Sequence, residues 1–119
     1  MMRTLIVISL SINLLVLFPV CMGLIRDAGW ATTSYGPGTP ARQILLSVYL
    51  AIFVVSALLL VSPDPKLVAA LLLVQIIYKL ITPVAVGTLG NPVVISNILI
   101  ALFHSGTLFV IWQSGALRG

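Results

Sequence analysis

Acid is what this chain most lacks. It has two aspartates, Asp27 and Asp64, and no glutamate among 119 residues. Charged residues of both signs make up only 7%, against roughly 25% in soluble domains. Water is therefore the wrong solvent for most of this sequence. Paired carboxylates for general acid–base work are missing too, and both aspartates fall in turn-like stretches. Cysteine is nearly absent as well. Cys21 stands alone, which excludes an intramolecular disulfide and a CxxC redox motif. It also fails as a lipoprotein acceptor, because "LFPVCMG" places no small residue directly before it. Its apolar setting marks it as a packing residue. Only one histidine, His104, is present, so no metal-ligand cluster can be read from the spacing.

Long apolar blocks are what remain. Hydrophobic residues reach 61%, in runs close to the roughly 20 residues a helix needs to cross hydrocarbon. Four spans are expected, at about 4–25, 41–61, 66–82 and 93–112. The first has the basic start of a signal peptide at Arg3. Its apolar stretch continues through Leu24 and Ile25, beyond a usual signal core of about 7–15 residues, so it is read as a true span. Three of the four spans open alike, with Thr39-Pro40, Asp64-Pro65 and Asn91-Pro92. In each pair a side-chain oxygen caps an unpaired N–H, and proline takes the first helical position, where no N–H is needed.

These spans predict an all-α integral membrane protein, a four-transmembrane-helix bundle. The short "SPDP" turn (Ser62–Pro65) would make its central spans an antiparallel hairpin. The connection Arg26–Pro40 is longer and turn-rich, and its Trp30 and Tyr35 suit a headgroup region. Basic residues give no clear orientation. Arg3, Lys66 and Arg118 fall on one side, Arg26 and Arg42 on the other, joined there by Lys79 if its amine reaches the interface. Scattered singly, these charges argue against nucleic acid as a partner. The expected partners are the lipid bilayer and either a second copy or a larger membrane complex.

Polar residues inside the spans carry what function the sequence offers. Gln75 and Lys79 share one helix face, as do Asn97, Ala101 and His104 on another. Asn13, Gln75 and His104 lie near mid-depth; Tyr49, Lys79 and Asn97 lie nearer the Arg26–Pro40 connection. The structural reading makes Asn13, Gln75 and Asn97 interhelical glue. The functional reading makes Lys79, Asn97, Gln75, His104 and Tyr49 a ligand site. For Lys79 itself two placements are open. Pro83 removes a hydrogen bond from the Lys79 carbonyl, so the helix should end or kink near Ile81 or Thr82. Lys79 would then sit in its last turn with the amine snorkelling to water, beside Tyr78, a residue typical of an interface. Alternatively the amine faces the bundle interior and holds an anion, a carboxylate or a lipid headgroup.

In size and layout the chain is similar to small multidrug resistance exporters and to fluoride channels. It departs from the first at their first-helix glutamate, where only Asn13 stands at mid-depth, and from the second at their phenylalanine motif. With one span, a turn-rich segment containing Tyr35-Gly36, and then a helical hairpin, it resembles small bacterial inner-membrane proteins of DoxX-like architecture. That resemblance implies a fold and a bacterial cytoplasmic membrane location, and carries no functional residue. The leading expectation is a non-catalytic packing or accessory membrane subunit with no cofactor. The alternative is a small transporter or channel for an anion or neutral solute.

Overall fold

A computed structural model describes residues 1–118, folded as five α-helices: α1 (Met2–Ile25), α2 (Gly29–Tyr35), α3 (Pro40–Val61), α4 (Pro65–Val86) and α5 (Pro92–Gln113). All but α2 are long and apolar enough to cross a membrane. Their outer faces are lined with Leu, Ile, Val and Phe at high exposure, for example Leu15, Ile44, Leu58, Val84 and Leu102. Polar residues are instead turned inward, an arrangement suited to a lipid solvent.

The three proline-led starts form as their sequences dictate. The backbone N–H groups of Arg42, Lys66 and Val93 donate to Thr39, Asp64 and Asn91 side chains at 3.4, 2.9 and 2.8 Å. The helix ends differ more from expectation. Helix α4 does not stop near Thr82; it runs through Pro83 to Val86. Pro83 removes one N–H but leaves the rest of the ladder, and the Thr82 hydroxyl donates to the Tyr78 carbonyl at 2.8 Å. What ends the helix is Gly87, at φ 81, whose N–H closes on the Pro83 carbonyl. A left-handed residue past the last turn is a stop that glycine adopts without Cβ strain.

The Arg26–Pro40 connection also differs from a plain turn, since its middle forms α2. This helix is fastened from three sides. Arg42, at the start of α3 and only 4% exposed, donates to the Leu24 and Gly36 carbonyls and to Asp27 Oδ1, at 3.2, 2.9 and 2.8 Å. Asn91, at the start of α5, donates to the Ser34 carbonyl at 2.9 Å. Trp30 lies flat against Gly23 of α1, so closely that a Cβ there would collide with the indole ring.

Packing is uneven around the bundle. Helix α1 pairs mainly with α3, and α4 with α5; α1 against α5 joins the two pairs, while α3 and α4 scarcely touch. One core cluster draws on all four long helices through Ile6, Leu10, Leu59, Val68, Leu72 and Ile111. The second has buried members from α1, α2 and α3 alone: Leu17, Cys21, Leu24, Ala31, Tyr49 and Ile52. Cavities lie between this second cluster and the α4–α5 pair.

Candidate functional site

A file of polar side chains runs between the long helices. At the level of the first core cluster, Ser9 of α1 and Thr107 of α5 share a hydrogen bond of 2.8 Å. Next comes His104, one helical turn back along α5 and 0% exposed. Its ring approaches the Ser9 backbone, yet neither nitrogen has a hydrogen-bond partner of ordinary geometry among the described residues. Asn13 of α1 donates to Ser56 of α3 at 3.0 Å, with its own Oδ1 unpartnered. On α4, Lys79 donates to Gln75 Oε1 at 3.3 Å. Finally, Asn97 of α5 donates to Thr82 Oγ1 of α4 at 3.4 Å. Two of these links cross between helices through Asn13 and Asn97, which is the glue role expected of such residues.

Lys79 is the residue whose placement matters most, and its amine does not snorkel outward. The side chain is 5% exposed, turned into the bundle, with Gln75 one turn before it on the same face. The outward reading assumed that Pro83 ends the helix. Because α4 continues for another turn to Val86, Lys79 belongs to the helix interior rather than its final turn. Tyr78, expected at an interface, likewise lines the interior, and the Lys79 amine lies 5.7 Å from its ring centroid.

Lys79 faces a cavity of about 20 Å³, walled also by Asn13, Asn97, Tyr35, Tyr49 and Tyr78. That is room for about one water-sized group. The chain has three tyrosines, and all three meet here. They come from three elements: Tyr35 ends α2, Tyr49 sits mid-way along α3, and Tyr78 precedes Lys79 on α4. Tyr35 and Tyr49 pack edge to face with centroids 6.0 Å apart. Burial, with Tyr49 as a neighbour, pushes the Tyr35 phenol well above its ordinary pKa, so it remains a neutral O–H. Two larger chambers adjoin, sharing Tyr35 and Asn97 as walls. One, of about 250 Å³, lies among α3, α4 and α5; the other, of about 290 Å³, lies between α1 and α5 under α2.

Four of the five residues singled out from sequence therefore fall together: Lys79 with Gln75 as its partner, and Tyr49 and Asn97 as cavity walls. His104 does not line the cavity and lies toward the Ser9–Thr107 end. Sequence reasoning left out Tyr35 and Tyr78, which it assigned to an interface, and Asn13, which it gave a structural role only. Their signal was available in part, since Asn13 and Tyr78 sit in spans. Tyr35 depends on α2 folding back over the bundle, which no local pattern announces.

The electrostatics are one-sided. Both carboxylates of the chain are committed elsewhere, Asp27 to Arg42 at 2.8 Å and Asp64 to the N-terminus of α4. The lysine amine thus stands among neutral donors, the phenols of Tyr35, Tyr49 and Tyr78 and the amides of Asn13 and Asn97. Such a set can bind an anion or a strong acceptor. Comparison with known protein families, curated proteins and solved structures finds no match to this chain.

Proposed function

We propose that this chain is a multi-pass membrane protein that binds a small anion in an intramembrane cleft centred on Lys79, as a small transporter or channel does. The carrying observation is an almost fully buried amine, with only Gln75 as a hydrogen-bond partner among the described residues, facing a cavity walled by three tyrosines. A lysine inside hydrocarbon costs at least about 2.5–3.5 kcal/mol by insertion scales, and one glutamine offsets little of that. An anion drawn from water would neutralise the amine, while the phenols and the Asn97 amide supply further donors. In this reading α3 and α4 are an antiparallel hairpin crossing the bilayer, and the DoxX-like layout makes the bacterial cytoplasmic membrane the proposed location.

Reconstitution in liposomes tests the reading. Vesicles carrying the wild type should release a trapped small anion, and Lys79→Met should abolish that release while retaining a cooperative melt. Equal release by the variant, or none from the wild type, would overturn it.

A packing or accessory role is the second reading, favoured by the thin contact between α3 and α4. Spans joined by so short a turn would ordinarily close on each other, and another subunit could seat between them. A discrete oligomer or a stable co-purifying partner in mild detergent would support it; a lone monomer with anion-dependent flux would not.

A further inference from the structure

The cavity at Lys79 and the chamber beside it differ in size and in chemistry. The inner cavity, about 20 Å³, holds one small polar group. The chamber between α1 and α5, about 290 Å³, is walled largely by Val16, Val20, Trp30, Pro92 and Val93 and has no charged residue in its lining. Val16, Val20, Tyr35 and Asn97 line both, so the two spaces adjoin along α1 and α5, and only the chamber extends on to Trp30, Pro92 and Val93. An inorganic anion would occupy the first and leave the second unused.

We propose that the ligand is a carboxylate with a short apolar body, its head at Lys79 and its body between α1 and α5 beneath Trp30. This rests on the anion-binding reading above and adds the ligand's chemical class. A single amine matches a monoanion. A phosphate or sulfate dianion calls for a clustered or bidentate cation, and the second buried cation, Arg42, is already occupied by Asp27 and two backbone carbonyls. The two oxygens of a carboxylate can accept from the Lys79 amine and from the phenols or the Asn97 amide together. Size sets the body. At about 290 Å³ the chamber lies at the lower edge of ligand pockets, which run roughly 300–1,000 Å³, so it suits a few carbons rather than a bulky ring system.

Protein in lipid nanodiscs, carrying Trp112→Phe so that Trp30 is the remaining tryptophan, provides the test. Acetate, butyrate and hexanoate are titrated, with hexanol and chloride beside them, reading the thermal midpoint and Trp30 emission. Affinity should rise about fourfold per buried methylene along the acid series, and hexanoate should shift Trp30 emission where acetate does not. Hexanol should bind at least about tenfold more weakly than hexanoate, and Lys79→Met should erase that difference. Val93→Phe should flatten the series while acetate still binds; Ser96→Phe, which also lines the chamber but not the inner cavity, makes the same test if the first variant misfolds. Oleate in the nanodisc that displaces hexanoate assigns the ligand to the lipid phase. Oleate that does not displace it assigns the ligand to water, and the class stands either way. Chloride and acetate binding as tightly as hexanoate would overturn the apolar body and leave the anion site intact. If no anion shifts the midpoint, the anion site itself is overturned.

Discussion

The two ends of this bundle are built from similar amounts of apolar sequence and reach opposite outcomes. At one, residues from the first turns of α1 and α4 and the last turns of α3 and α5 close into a single cluster around Leu10, Leu72 and Ile111, each 0% exposed. At the other, the buried cluster draws on α1, α2 and α3, with Leu71 and Tyr78 of α4 packed against it, and cavities open between it and much of the α4–α5 pair. The difference follows from side chains. Small or aliphatic residues interdigitate at the closed end, with the short Ser9–Thr107 hydrogen bond among them. The open end places tyrosines, a lysine and amides where aliphatic side chains would have to meet. Rings and amides that must keep their polar tips paired cannot fill space as freely as leucine. Packing concentrates at the closed end, and room remains at the open one.

Breaking the open end's fastening should have the largest effect. Arg42→Ala removes hydrogen bonds to the Leu24 and Gly36 carbonyls and leaves Asp27 with the Thr32 hydroxyl in place of its ion pair. The part-buried Gly36 carbonyl left unpaired costs about 1–3 kcal/mol. The Leu24 carbonyl keeps only a 3.4 Å bond from the Asp27 N–H, and lost packing of the Arg42 stem adds to this. Asp27, at 68% exposed, adds little because water screens it. A loss of about 3 kcal/mol is expected, measured by denaturant titration in detergent, together with faster proteolysis between α1 and α3. Stability unchanged within about 0.5 kcal/mol would mean that α2 is held by Trp30 and Asn91 alone.

Leu72→Ala probes the closed end. Core truncations cost about 2–5 kcal/mol in water-soluble proteins. Within a bilayer the truncated side chain would have met lipid anyway, so packing is the main loss, and about 2 kcal/mol is expected. Anion release should stay at the wild-type level, since Leu72 lines no cavity near Lys79. A variant that keeps its stability but loses flux would reverse the division between the two ends.

How much of this could be read beforehand divides along the same line. The places of the four long apolar helices and the Thr39, Asp64 and Asn91 caps are local matters of hydropathy and hydrogen bonding, and they were legible in the residues. The course of α4 was harder, because two local rules compete there. Pro83 argues for a break, while Thr82 and Gly87 offer a bonded continuation and a later stop. The continuation prevails, and with it the fate of Lys79, which a shorter helix would have turned toward water. Lys79, Tyr49 and Asn97 could be grouped by depth, and Gln75 joined to Lys79 by their shared helix face. Tyr35 could not, since its place depends on α2 folding back, held by Arg42, a Trp30–Gly23 contact and, from far along the chain, Asn91.

The smallest expected effects sharpen the comparison most, because they set one interhelical hydrogen bond against another. Ser9→Ala removes the 2.8 Å bond to Thr107 in a tightly packed setting. Such bonds average about 0.6 kcal/mol, up to about 1.7, so a loss near 1 kcal/mol should appear with flux unchanged. Asn97→Leu removes a longer bond, 3.4 Å to Thr82, from the wall of a cavity. Its leucine can fill part of the space and leaves no deeply buried partner stranded, because the Thr82 hydroxyl still donates to the Tyr78 carbonyl. Stability should therefore hold or rise by a few tenths of a kcal/mol, while anion affinity falls about tenfold with the lost donor. A substitution that strengthens the fold and weakens the site is what a cleft kept open for a ligand predicts. Equal destabilisation by both variants would mean that Asn97 is glue like Ser9, and that the open end is only a less perfect version of the closed one.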